Sequence, residues 1–340
     1  MKAVLQSSYG PPRQLRTGDV PRPVAGPGEV LLQVHAASVH ADVWHMVRGV
    51  PYVLRLMGAG VRRPRNPIPG TDAAGVVAEV GPGATRYAPG DAVFGEVIAG
   101  MQWRNGGAYA EYVAVPEGRL EPKPATLTYE EAAALPTAGL IALMAVRSEC
   151  RVGDGDRVLV NGGAGAVGML AVQIAKADGA HVTAVDAGDR HDLLASIGAD
   201  EVLDYRRDDF TAGPVRYDAI IDIPGNHPYS RVKRVLTDRG RYAWIGHDAY
   251  GSRGRRWLGS LPLGMRFMAG SMRDPHLPRP SEAAPGEDGM RVLAELAAAG
   301  RLRPVVEQTY PLDEAATALE HLESGTARGR LVLVTSAGAG

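Results

Sequence analysis

Three glycines, Gly163, Gly165 and Gly168, stand in G-x-G-x-x-G register within the stretch NGGAGAVG. Glycines so spaced leave backbone N–H groups bare, so that a pyrophosphate can approach the main chain closely. The residues ahead, RVLV, form an apolar run rich in β-branched side chains. Those behind, MLAVQIAKADG, carry apolar residues at helical spacing. A strand, a glycine turn and a helix in that order place the phosphates at a helix N-terminus, where unpaired N–H groups and the helix dipole favour anions. HVTAV reads as the next strand and ends at Asp186, 18 residues after Gly168. An acid there accepts hydrogen bonds from the hydroxyls of an adenosine ribose. In a chain with 43 glycines the glycine spacing alone is weak. Strand, turn, helix, strand and acid in a single β-α-β unit make it a dinucleotide cradle, with Asn161, Gly163, Gly165, Ala166, Val167, Gly168 and Asp186 as its candidate contacts.

The elements that must hold this cradle fall into two textures. Residues 126–270 contain the short strands RVLV, HVTAV, EVLDY, DAIIDI and RYAWIG, separated by helical stretches such as MLAVQIAKA and YSRVKRVL. Alternating strand and helix predicts a doubly wound parallel sheet covered on both faces, a Rossmann domain in an α/β protein. Residues 1–125 read differently: EVLLQVHAA, AAGVVAEVG, DAVFGEV and AYAEYVAV are short strands punctuated by Gly and Pro, an irregular and mostly β domain. The alternation stops near 250, and residues 271–340 are expected to return to the first domain.

Bulk properties narrow the partners. Of the 340 residues 45% are hydrophobic and 22% charged, and Lys plus Arg (37) nearly cancels Asp plus Glu (38). No global charge favours nucleic acid or a membrane surface, and neither is expected as a partner. The N-terminus MKAVLQSSYG lacks the apolar core of a signal peptide. Cys150 is the single cysteine, which excludes an intrachain disulfide and a multi-cysteine metal site and points to a cytoplasmic setting.

Nearly the whole chain resembles the medium-chain dehydrogenase/reductase superfamily, in its zinc-independent quinone oxidoreductase-like branch. The resemblance is carried by GEVLLQVHAASV, IPGTDAAGVVAEVG, PGDAVFGE, GGAYAEYVAVP, EEAAALPTAGLIAL, VLVNGGAGAVGMLAVQIAK, IGADEVLDY and GRLVLV. It implies a GroES-like catalytic domain interrupted by the Rossmann domain, a cleft between them, and a homodimer. It also implies NAD(P)H as cofactor and hydride transfer to a quinone or an α,β-unsaturated carbonyl, a small apolar electrophile. A carbonyl reductase or alcohol dehydrogenase of the same superfamily, or a cofactor-binding relative with little turnover, are the alternatives. Where zinc-dependent relatives keep a Cys and a His-Glu pair this chain has His40 and Thr71-Asp72, and their later cysteine is missing. No metal is therefore expected. The spacing of His35, His40 and His45 does not place them on one face of a helix or strand.

His40 stands where quinone reductases of this branch usually have Asn, so the resemblance makes it a candidate hydrogen-bond donor to the substrate oxygen or the carboxamide. Thr137 resembles a position near the nicotinamide, and Tyr205 one on the adenosine side. Thr71 and Asp72 either line the cleft or steady the turn in PGTD. The stretch 46–67 is longer and more apolar than a connection needs. Val53, Leu54 and Met57 share a helical face, which suggests a lid or wall for a bulky apolar substrate or a small core helix, with Tyr52 as a candidate proton donor. For the cofactor, Asp186 argues for NADH, since it would repel a 2′-phosphate. The family tends to NADPH, marginally preferred here, with Arg190 pairing either with that phosphate or with Asp186. Arg253, Arg255, Arg256, Arg266, Arg273 and Arg279 recur with few acids between them, reading as a solvated loop or oligomer edge, or as a guide for an anionic substrate.

Overall fold

The structure, a computed structural model, describes residues 1–98, 104–246, 255–282 and 288–337; Arg253 lies outside the described residues. The chain opens with paired strands β1 (Lys2–Leu5) and β2 (Arg16–Asp19). Then come β3 (Glu29–Val39), α1 (Ala41–Arg48), β4 (Asp72–Val80), β5 (Ala92–Glu96), β6 (Tyr112–Pro116) and β7 (Leu120–Pro122). Helices α2 (Tyr129–Ala133) and α3 (Pro136–Leu143) cross to the second domain. That domain runs through β8 (Arg157–Asn161), α4 (Ala166–Ala177), β9 (His181–Asp186), α5 (His191–Ser196) and β10 (Glu201–Asp204), then β11 (Tyr217–Asp222), α6 (Tyr229–Val232) and β12 (Leu236–Trp244). After it lie α7 (Leu261–Gly270), α8 (Gly289–Ala298), β13 (Val306–Pro311), α9 (Ala315–Ser324) and β14 (Arg330–Val334).

Strands β8 to β12 form one parallel sheet in the order β10-β9-β8-β11-β12. Continuous apolar runs suit strands covered on both faces, and the packing shows why. Val158 and Val160 of β8 face a core built with Leu170, Ala171 and Ile174 of α4, whereas Leu159 between them faces Phe210, Tyr217 and Tyr242 on the other side. The strand order reverses between β8 and β11, the switch point outside which open α/β sheets bind their ligands.

The other sheet has the order β13-β14-β3-β4-β5-β7, with β6 added to β3. Its core joins Val30, Leu32 and Val34 of β3 to Leu331 and Leu333 of β14 and Leu319 of α9. The last two strands thus return to the first domain, but later than residue 271. Leu277 lies in the Tyr242 core, the Tyr242 N–H donates to the His276 carbonyl (2.8 Å), and Leu293 and Leu296 of α8 pack into the Rossmann core. The crossing back falls near 305. A helix followed by a strand reads alike in either domain, and only the burial of α8 assigns it.

Candidate active site

The glycine turn joins β8 to α4. Gly162, at φ +82°, makes the reversal. The N–H groups of Gly162 and Gly163 both donate to the Val185 carbonyl (2.9 and 3.0 Å), which staples the turn to β9. A Cβ on Gly163 would stand 3.0 Å from Ala184 Cβ and 3.1 Å from Leu194 Cδ2, so this glycine serves close packing. A Cβ on Gly168 would stand 2.1 Å from the Gly162 carbonyl oxygen and 2.8 Å from Gly163 Cα, a backbone contact with no room to give. Gly165 is the N-cap of α4, and a Cβ there meets only the Gly162 oxygen, at 3.3 Å. The helix begins at Ala166, three residues earlier than the apolar spacing from Met169 predicts. Ala166, Val167 and Gly168 therefore form its first turn, whose N–H groups have no partner within the helix. A bare helix N-terminus over a side-chain-free turn fits a pyrophosphate.

Asp186 ends β9 beside this turn. One oxygen accepts from the Ala164 N–H and the other from the Ala187 N–H, both at 2.8 Å. Arg190 turns away from it: its Nη1 donates to the Ala327 carbonyl (2.9 Å), and Nε lies 4.0 Å from Asp189. Tyr205 is 55% exposed; its N–H donates to the Asp186 carbonyl (3.2 Å), and the Arg206 guanidinium lies over its ring. At the switch point Asn161 Nδ2 donates to Asp222 Oδ1 (2.8 Å) and to Asn226 Oδ1 (3.2 Å). Tyr242 donates to the other Asp222 oxygen (2.9 Å). Asn161 is thus a brace between the two central strand ends.

His40 caps α1 and is buried, with Nε2 2.7 Å from Thr71 Oγ1 and 3.8 Å from Asp72 Oδ2. Asp72 opens β4 and stands directly opposite Glu96 at the end of β5. Two acids facing each other in a buried ladder repel, and Thr137 mediates: its hydroxyl lies 2.6 Å from Asp72 Oδ1 and 3.2 Å from Glu96 Oε1. Its backbone N–H donates to Asp72 Oδ2 (3.1 Å). Burial raises both carboxyls well above their ordinary range, Glu96 further through the charge of Asp72. Arg330, fully buried at the start of β14, opposes the rise at Asp72 and has Nη2 2.5 Å from Ser38 Oγ. The hydroxyl of Thr137 is therefore engaged with carboxyl groups, and Thr71 and Asp72 are part of a buried network and do not line the cavity between the domains. Among the described residues no three His, Cys, Asp or Glu side chains converge as a metal site requires. The donor set at the position of the zinc ligands does not fit that ion.

Between the two domains lies a cavity of about 310 Å³. Asp42, His45, Val53, Leu54 and Met57 line it from the first domain, and Ile141, Met144, Glu149, Trp244, Ile245 and Leu261 from the second. The segment around 53–57 is thus a wall of this space. Tyr52 is not brought into it; its ring stands edge-on to Trp257 (5.3 Å) and under the Arg55 guanidinium (4.7 Å). Glu149 ends a wide, π-type turn, Met144–Glu149, that continues α3. Such turns redirect side chains at functional sites. Burial pushes the Glu149 carboxyl up to about 7, with Arg241 opposing and Glu282 adding. Sequence reading missed Glu96, Glu149 and Arg330. For Glu96 and Arg330 the available signal was a lone charge closing or opening an otherwise apolar run, VFGE and RLVLV; Glu149, after Arg147 and Ser148, had no such signal.

Comparison with known proteins agrees with this geometry. Residues 26–125 match the family model "Alcohol dehydrogenase GroES-like domain", and residues 197–333 match "Zinc-binding dehydrogenase". The chain is 31% identical to NAD(P)H oxidoreductase RTN4IP1, mitochondrial, of Mus musculus, over 98% of this chain and 89% of that protein. It is 30% identical to quinone-oxidoreductase QR1, chloroplastic, of Triphysaria versicolor, over 98% of both. The solved structure of the quinone oxidoreductase from Coxiella burnetii superposes with a TM-score of 0.79 at 29% identity, covering 98% of this chain and 99% of that one.

Proposed function

The chain belongs to the quinone oxidoreductase-like branch of the medium-chain dehydrogenase/reductase superfamily and is a nicotinamide-dependent oxidoreductase, and from that premise we propose that it reduces an apolar quinone or enone. The observation that carries the substrate reading is the cavity, whose apolar walls come from both domains and whose polar groups are few. Reduced nicotinamide supplies the hydride. The first turn of α4 would hold its pyrophosphate and Asp186 its ribose. Charge developing on a quinone or enone oxygen is spread by conjugation, so the chain needs to offer a hydrogen-bond donor there. His40 is our candidate for that contact on the resemblance alone: it is buried with its Nε2 on Thr71, and the cavity wall is formed not by it but by Asp42 and His45 of the helix it caps.

For the cofactor we assign NADH. Asp186 is pinned at the turn by two backbone hydrogen bonds and would repel a 2′-phosphate, while Arg190 is tied to Ala327. The test is oxidation of NADH and of NADPH with 9,10-phenanthrenequinone in the presence of EDTA. Turnover is expected, with kcat/KM favouring NADH by about tenfold or more, the effect of roughly 1.4 kcal/mol of repulsion. Failure to reduce any of a panel of quinones and enones, in protein that binds the nucleotide, would overturn the substrate reading. A preference for NADPH would overturn the cofactor assignment alone.

A further inference from the structure

Helix α7 buries none of its residues. Leu261, Met265 and Met268 share one of its faces, exposed by 40, 58 and 54%, and Trp257 (75%) and Met272 (87%) lie at its two ends. The apolar surface continues onto the neighbouring stretch of the first domain. The Tyr52 and Val53 N–H groups donate to the Arg256 and Trp257 carbonyls (2.7 and 3.0 Å), and Leu56 beyond them is 75% exposed. Single exposed apolar residues are ordinary, but a contiguous patch of this kind marks an interaction surface.

The charges around the patch indicate what it meets. Arg62, Arg63 and Arg65 are exposed in one segment, and Arg255, Arg256, Arg266, Arg273 and Arg279 in the other. Residues 43–71 and 255–282 together contain two acids, Asp274, paired with Lys233 (2.8 Å), and Glu282, paired with Arg151 and Arg241. The net charge of −1 for the whole chain, which argued against a membrane partner, conceals this local excess. No helix among the described residues is long and apolar enough to cross a membrane, so contact with one would be peripheral.

We propose that this face docks on the surface of an anionic lipid bilayer. The methionines, Leu261 and Trp257 enter the boundary between headgroups and acyl chains, and the arginines bordering them meet headgroup phosphates, the division of labour of interfacial helices. Guanidinium groups suit phosphate because their planar fork pairs with two oxygens at once. Met57, Leu258 and Leu261 are exposed and also line the interdomain cavity, so they form its rim. Docking therefore opens the cavity towards the lipid, where an apolar electrophile is concentrated. The docking itself does not depend on which substrate the cavity takes.

The test is co-sedimentation of the full chain with vesicles of equal parts phosphatidylglycerol and phosphatidylcholine, and with pure phosphatidylcholine. Binding to the first and not the second is expected, with release at high salt as the Debye length shortens. Arg266→Gln with Arg273→Gln should weaken binding about 25-fold, at about fivefold per arginine. Met265→Gln with Met268→Gln and Met272→Gln should weaken it about tenfold or more. These side chains are exposed, and unchanged circular dichroism and NADH binding would show that the variants fold. Absence of binding to the anionic vesicles, or binding indifferent to both sets of substitutions, would overturn the proposal. So would a homodimer in which hydrogen exchange shows residues 257–272 protected by the second copy.

Discussion

Replacing Glu149 by Gln tests whether a carboxyl in the cavity wall is held protonated. The residue is 7% exposed, and its neighbours in the cavity include Ile141, Met144 and Trp244. Taking it out of water raises its pKa from 4.5 to about 7, against the pull of Arg241. Between those values the folded protein keeps a proton that the unfolded chain has already lost. The native state then binds more protons, so stability falls as pH rises from 4.5 through 7 and levels off above. The whole loss is about 3 kcal/mol, at roughly 1.4 kcal/mol for each pH unit between the two values. Glutamine keeps the shape and carries no titrating proton. Urea denaturation of both proteins at pH 5 and pH 8 should show the stability difference moving by about 2 to 3 kcal/mol in favour of the variant at the higher pH. Parallel pH dependences would refute the reasoning, because they would mean that Glu149 ionises in the folded protein as it does in the unfolded chain.

Three further outcomes follow from the site. Gly168→Ala places a methyl 2.1 Å from the Gly162 oxygen; it should cost about 1–3 kcal/mol of stability and weaken NADH binding by more than about tenfold, read by calorimetry of both. Asp186→Ser removes the charge proposed to face the ribose and should move the kcat/KM ratio towards NADPH by about tenfold, measured with a single quinone under fixed salt; an unchanged ratio would place the 2′ position elsewhere. Thr137→Val deletes the hydroxyl between Asp72 and Glu96. It should destabilise the protein by about 1–3 kcal/mol in urea at neutral pH, since two buried carboxyls lose a partner; a loss within error would mean that the acids share their proton without it.

The strand–glycine turn–helix unit was legible because everything it needs is local. Strand, glycines, helix and acid follow one another within residues 157–186, and the backbone contact at Gly168 is to a residue six positions earlier. The parallel sheet was legible for a similar reason: RVLV, HVTAV and DAIIDI are mostly apolar on consecutive positions because both faces are covered. The acid pair was illegible for a different reason. That Asp72 faces Glu96 depends on the register of β4 against β5, and that Thr137 bridges them depends on how α3 docks 41 residues further along. Arg330 reaches Ser38 across 292 residues. Each of these charges sits at the edge of an apolar run, where a reading by periodicity expects solvent and stops. The arginines on and beside α7 show the same limit from the outside: summed over the chain they cancel, whereas along residues 255–279 they outnumber the acids. Charge read along the chain reports composition, whereas charge read on the folded surface reports what that surface can meet.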